Sequence, residues 1–140
     1  MKDVIVIGSG PAGFAAALYT ARANWTTAII TGQQLGGQVS LTWEIENYPG
    51  FVDPLSAADL TDRFTRHVER FGAELIYDEV TAVDLSGSPH RVTTHGGVYE
   101  GRAVVLALGA SARRLGVPGE DPLIGRGVSY CAMCDGAFFK

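Results

Sequence analysis

An α/β fold, a doubly wound parallel sheet carrying a small antiparallel β-meander, is predicted by three observations. Val4, Ile5, Val6 and Ile7 form an unbroken β-branched run, the mark of a strand buried on both faces of a parallel sheet. An alanine-rich stretch over residues 11–23 then favours helix, with Pro11 tolerated in its first turn and the small Ala12, Ala15 and Ala16 allowing close packing on a sheet. Residues 26–30 read as a second buried strand. Strand, helix and strand in that order over about thirty residues make a βαβ unit, whose crossover is right-handed.

The remaining elements follow from local pattern. Residues 31–55 carry Gly32, Gly36, Gly37, Pro49, Gly50 and Pro54 without a sustained period and are expected to form a long irregular segment of the functional kind. Leu60, Phe64, Val68 and Phe71 fall at helical steps, so residues 56–71 predict an amphipathic helix, with Ser56 and Asp59 at its N-cap and Gly72 as its stop. Residues 75–77, 79–85, 91–94 and 98–100 alternate between turn signals and predict the antiparallel meander. Residues 103–108 are continuously apolar and are expected to return to the main sheet as a buried strand ended by Gly109. Beyond Gly116 the glycines and Pro118 mark a connection to a second unit. The expected division is residues 1–115 and residues 116–140.

Composition narrows the chemistry. The chain has 140 residues, 46% of them hydrophobic, enough for one real core. Its formal charge is -4, and without a Lys/Arg footprint it is not expected to bind nucleic acid. Glycine numbers 18, about twice the usual ~7 per cent, and clusters as it does where backbone must approach a ligand closely. No run approaches the ~20 apolar residues of a membrane span. The N-terminal apolar run is too short and too broken by glycine for an export signal. With two cysteines and no such signal, a cytoplasmic location is expected.

Gly8-Ser9-Gly10-Pro11-Ala12-Gly13 satisfies G-x-G-x-x-G between a predicted strand and a predicted helix, the context that gives the pattern meaning. The first glycine permits the tight turn, the second lets a pyrophosphate approach, and the third lets helix and strand pack, with phosphates at the helix N-terminus. The acidic residue that commonly follows about twenty positions on, to hold a ribose, is missing: Thr31, Gly32, Gln33 and Gln34 stand there, and the next carboxylate is Glu44. The loop alone does not separate FAD from a nicotinamide dinucleotide.

The two cysteines are Cys131 and Cys134. Two intervening residues let a disulfide close within one turn, so the pair predicts reversible dithiol chemistry. A structural zinc site needs four ligands, and His67, His90 and His95 are not at ligand spacing, so no metal is expected. Two ordinary buried thiols are the other reading of the pair.

Several separated segments together resemble the low-molecular-weight, bacterial-type thioredoxin reductases. They are the glycine loop with Ala21-Arg22-Ala23, Thr31-Gly32 leading to Gly36-Gly37-Gln38, Glu46-Asn47-Tyr48-Pro49-Gly50-Phe51, Gly109-Ala110-Ser111-Ala112-Arg113, Pro118-Gly119-Glu120, and the stretch from Cys131 to Gly136. The resemblance spans nearly the whole chain. It implies an FAD/NAD(P)-binding Rossmann-like fold and a disulfide oxidoreductase that passes electrons from NADPH through FAD to the Cys-x-x-Cys pair and on to thioredoxin, as a homodimer. It places Ser9, Gly10, Pro11 and Ala12 at the FAD pyrophosphate, with Gly8 and Gly13 as cofactor-binding positions beside them. Thr31, Gly32, Gln33, Gln34, Leu35, Gly36, Gly37 and Gln38 would lie along the nucleotide and toward the flavin, with Asn47, Val80 and Gly109 as further FAD positions.

The resemblance also implies that Cys134 faces the flavin, Cys131 attacks thioredoxin, and Asp135 carries the proton of the exchange. Leu108 departs from the family's usual threonine and Met133 from its usual threonine or valine. Family members are more than twice this length. The chain therefore reads as an N-terminal portion, ending before any second fingerprint for NADPH. A related reductase with another disulfide partner, or an FAD-binding module without turnover, are the alternatives.

Overall fold

The computed structural model describes residues 1–136. The chain divides into two compact units, Met1–Gly109 and Ala110–Lys140. The first contains β1 (Lys2–Ile7), α1 (Pro11–Arg22), β2 (Thr27–Ile30), a 3-10 turn (Gly37–Leu41), β3 (Glu44–Ile45), β4 (Leu55–Ser56), α2 (Ala57–Arg70), β5 (Glu74–Ile76), β6 (Val80–Asp84), β7 (His90–Thr94) and β8 (Val98–Leu106). The second contains, among the described residues, two single-turn helices, α3 (Glu120–Leu123) and α4 (Ala132–Asp135).

Six strands form one sheet in the order β5-β2-β1-β8-β7-β6. The first four run parallel: Ile7 stands opposite both Ile30 and Leu106, and Ile30 opposite Ile76. Their carboxyl ends therefore share one edge. The chain winds outward from β1 through β2 to β5, then returns on the other side of β1 with β8. That reversal makes the gap outside β1 and β8 a topological switch point, where open α/β sheets bind ligands.

The first two strands behave as their sequence requires. Every residue of β2 is buried, as are the last four of β1. Alternation sorts them onto two faces. Val4, Val6 and Ile29 pack under α1 and α2 with Phe14, Ala17 and Val68, whereas Ile5, Ile7, Ala28 and Ile30 face the other way with Ile76 and Val92. The helix α2 begins where its cap was expected, with the Ser56 hydroxyl accepting from the Asp59 amide at 3.0 Å. Phe71, at its end, is half-exposed and lies beneath Arg22 and Arg70.

Three expectations need correction. The segment at residues 75–77 is not part of the meander, because its backbone pairs parallel with β2 as an edge strand. A short alternating segment carries no information about the direction of its neighbour. Residues 98–100 and 103–108 are not separate strands either: β8 runs unbroken, antiparallel to β7 up to Gly101 and parallel to β1 from Gly101 to Leu106. Gly101, at 2.9 Å from the Ile5 side chain were a Cβ present, lets the two strands approach. Finally, β8 is not the fully buried strand expected from its apolar run. Ala103 and Leu106 are exposed and Val104 and Val105 only half-buried.

The segment between β2 and α2 is less irregular than its glycines imply. β3 and β4 pair antiparallel, and Ile45, Ala57 and Leu60 form a small separate core with Val39, Tyr48, Phe51 and Phe64 around it. This apolar knot holds the long segment against α2.

Candidate functional site

The glycine loop joins β1 to α1 at the switch point, and each glycine there meets a different surrounding. A Cβ on Gly8, whose φ is +107°, would lie 2.2 Å from the carbonyl oxygen of Ala107. One on Gly13 would lie 1.9 Å from the carbonyl oxygen of Gly8. Both positions are closed by backbone, which does not yield. Gly10 differs, since nothing stands within 4 Å of where its Cβ would be. Its ordinary φ of -73° imposes no need for glycine, so the empty space above it is room for a ligand rather than for the protein.

That space faces the start of α1. Gly10 is the N-cap, no side chain caps the helix, Pro11 occupies its first turn and no acidic residue lies there. The first amides of a helix have no intrahelical partner and carry the positive end of its dipole. Bare backbone donors beside a cradle that a Cβ would fill are the arrangement that accepts a phosphate group. The residues present therefore fit the pyrophosphate of a dinucleotide.

The second arm of the site is the stretch after β2, and Ser9 ties it on. Ser9 is buried; its hydroxyl donates to the Thr31 carbonyl at 2.8 Å and lies 3.3 Å from that of Gln34. Its own carbonyl accepts from the Gly36 amide at 3.1 Å. Gly37 comes so near that a Cβ would sit 3.2 Å from Gly10 Cα. Gly36 abuts α2, where a Cβ would be 2.5 Å from the Thr61 hydroxyl. Thus the two glycine clusters, separated by over twenty residues, form one backbone-lined surface. Gln38 is exposed beyond it, and Leu35 is packed on the core.

A third strand end supports the second arm. The Thr31 amide donates to Ile76 and the Gly32 amide to Asp78, both at the end of β5. Gln33 donates through Nε2 to the Glu79 carboxylate at 2.7 Å, with His95 Nε2 3.8 Å from the same oxygen. Asp78 is held below the usual carboxylate range, first by the Thr94 hydroxyl and then by the Gly96 and Glu79 amides. A carboxylate thus does reach the end of β2, delivered by the β5–β6 connection. No fixed spacing from the glycine loop signals it. Val80, next in sequence, is partly buried against the second core face.

Asn47 is exposed on the long segment, and Gly109, with φ +66°, follows the end of β8. Neither is brought into hydrogen-bonding contact with the glycine loop by any bond described above.

In the second unit Cys131 and Cys134 are joined as a disulfide, with Cα atoms 5.2 Å apart. Cys131 is the N-cap of α4 and its carbonyl accepts from the Cys134 amide at 3.0 Å. The backbone of Asp135 closes that turn, and its side chain lies outside the described part of the chain. The residue that sequence reasoning assigned no role is Glu120. It is only 4% exposed, and its carboxylate accepts from the Leu115 amide at 2.9 Å, the Gly116 amide at 2.6 Å and the Tyr130 hydroxyl at 2.5 Å. These bonds, the tyrosine's first, hold its pKa down to about 2. Its sequence signal was membership of the Pro118-Gly119-Glu120 segment, which named no role for it, and it stands at the start of a four-residue helix too short to show a period.

Among the described residues no helix is long and apolar enough to cross a membrane.

The pyridine nucleotide-disulphide oxidoreductase family model matches residues 2–140. A thioredoxin reductase of Streptomyces coelicolor is 52% identical over 142 residues, which take in 100% of this chain and 44% of that protein. A glucosaminate ammonia-lyase of Pseudomonas fluorescens is 47% identical over 98% of this chain and 43% of its own length. Among solved structures, the thioredoxin reductase of Streptococcus pyogenes matches with a TM-score of 0.88 at 47% identity, over 99% of this chain and 45% of that one. The chain spans less than half the length of these relatives. The chain belongs to the pyridine nucleotide-disulphide oxidoreductase family, as a domain of the thioredoxin reductase-like kind.

Proposed function

We propose that this chain is the FAD-binding and dithiol-bearing portion of an NADPH-dependent thioredoxin reductase. The observation that carries the reading is the Cys131–Cys134 disulfide closed on a single turn, in a chain whose glycine loop leaves an uncapped helix N-terminus and open space at Gly10. Gly8, Ser9, Gly10, Pro11, Ala12 and Gly13 would hold the pyrophosphate through backbone amides, and the stretch from Thr31 to Gln38, with Asn47, Val80 and Gly109, the rest of the cofactor. FAD, when bound, supplies the two-electron reductant for the disulfide, and NADPH, bound by a segment beyond this one, supplies FAD.

In that scheme the Sγ–Sγ bond breaks on gaining two electrons and two protons, giving two thiols. Cys131, as thiolate, attacks one sulfur of the thioredoxin disulfide; Cys134 then attacks Cys131 Sγ, which releases reduced thioredoxin and restores the Cys131–Cys134 bond. Asp135 moves the proton of the exchange. The division at residue 115, the homodimer and the cytoplasmic location belong to the same proposal.

The 47% identical glucosaminate ammonia-lyase favours a second reading, that this stretch is a flavin-binding module whose reaction is set by the remainder of the protein.

Flavin uptake tests the first half of the reading. The purified chain, incubated with FAD and desalted, is expected to retain flavin absorbance, and Gly10→Ala to lose at least about tenfold in affinity while folding normally; a colourless parent chain removes the cofactor assignment. In the full-length protein, Cys131→Ser is expected to abolish thioredoxin reduction while flavin reduction by NADPH persists. Unchanged turnover in that variant supports the second reading instead.

A further inference from the structure

Among the described side chains of residues 110–136 a single one is buried, and it is a carboxylate, Glu120. Large apolar residues around it are turned outward: Leu115 is 82% exposed and Val117 52%. A buried carboxylate is costly unless every oxygen is bonded. Here Oε1 accepts from the Leu115 amide and the Tyr130 hydroxyl, and Oε2 from the Gly116 amide. The Glu120 amide itself donates to the Val117 carbonyl at 3.2 Å. An ion pair between Arg114 and Asp121 lies on the same turn. These bonds close the chain from Leu115 to Tyr130 into a ring, and Tyr130 is the residue immediately before Cys131.

We propose that Glu120 is a positioning residue for the dithiol, its carboxylate acting with the Tyr130 hydroxyl as a latch that fixes the backbone entering Cys131 and so limits how far the two sulfurs separate once reduced. The physical basis is effective concentration. Two thiols held on one short, restrained segment re-form their bond readily, and each added backbone freedom lowers the local concentration of one sulfur at the other. Beyond the latch, the Cys131 amide donates to the Ser129 hydroxyl at 3.1 Å, so the restraint continues to the cysteine itself. The ionised state of Glu120 is kept by the same bonds, since they hold its pKa down to about 2. The proposal rests on the dithiol reading of Cys131 and Cys134, but not on flavin binding.

The test uses this chain with dithiothreitol as reductant. Dithiothreitol gives up two electrons and two protons and becomes its cyclic disulfide, while the Cys131–Cys134 bond becomes two thiols, which alkylation and mass spectrometry count. Glu120→Gln is expected to shift the equilibrium toward the reduced dithiol by about tenfold, Tyr130→Phe by about threefold, and the double variant no further than Glu120→Gln alone, because the two groups act as one unit. Should Glu120→Gln fail to fold, Tyr130→Phe removes one oxygen from a partly exposed ring and still decides the matter. A purely structural Glu120 lowers the unfolding midpoint and leaves the reduction equilibrium within about twofold of the parent in both variants; that result overturns the proposal. A chain that takes up no FAD leaves these measurements intact, so failure of the flavin assignment is told apart from failure of the latch.

Discussion

The two units of this chain are held together by opposite means. In Met1–Gly109 three apolar clusters carry the structure, with Ile5, Val6, Ile29, Ile30 and Leu60 excluded from water almost completely. Among the described side chains of residues 110–136 there is no such cluster; the one that is buried is Glu120, and hydrogen bonds to it replace a core. Apolar burial is non-directional and tolerates exchange of similar volumes, whereas a bonded carboxylate depends on the direction of each donor. The first unit is therefore suited to hold a surface rigid and the second to hold one segment in one conformation.

The sharpest way to break this contrast is to cut into each unit in turn. Ile29→Ala, in the centre of the sheet, is expected to destabilise the first unit by about 2–5 kcal/mol, read by chemical denaturation; a loss below about 1 kcal/mol means the core is not continuous. Removing a local polar cap there costs less. Ser56→Ala leaves the Asp59 amide without its partner and is expected to lower stability by about 1 kcal/mol in the same experiment.

The second unit responds to pH in its own way. Because Glu120 is held down to about 2 from its ordinary 4.5, its contribution is fully present above 4.5, declines progressively below it, and is gone once pH has fallen through about 2. Tyr130 has the reverse sign. Its bond to Glu120 raises it above its ordinary 10.0, so that contribution is full below 10.0 and lost as pH climbs through the raised value. In a phenolate absorbance titration Tyr130 is expected to ionise at higher pH in the parent than in Glu120→Gln. Identical titration curves for the two proteins would mean that the bond is absent. The smallest effect belongs to Leu115→Ala, which removes an exposed side chain and is expected to change stability by less than about 0.5 kcal/mol. A larger loss would reveal an apolar core in the second unit and erase the contrast.

The same contrast explains what was legible beforehand. A continuous β-branched run announced β1, residues 26–30 read as β2, helical spacing announced α2, and the Ser56 cap was readable because caps act over three residues. The meander was half readable. Its turns were visible, but the parallel pairing of β5 and the fusion of two predicted strands into β8 were not, since strand direction and neighbour are settled by distant backbone. The glycine loop was placed correctly between strand and helix. Its lacing to the second glycine cluster through Ser9 and the arrival of Glu79 at Gln33 had no linear spacing to reveal them.

By itself, then, the order of residues determined the local elements, the glycine loop at the start of α1 and the closeness of Cys131 to Cys134, because each depends on neighbours within a turn or two. Tertiary structure decided which glycines of the first loop, Gly8 and Gly13, are closed by backbone and that Gly10 stands open. It also decided that a second loop would complete the cradle, and that Glu120 would be buried beneath Tyr130. Those are contacts between segments far apart in the chain or too short to carry a period, and only folding brings their donors and acceptors within bonding distance.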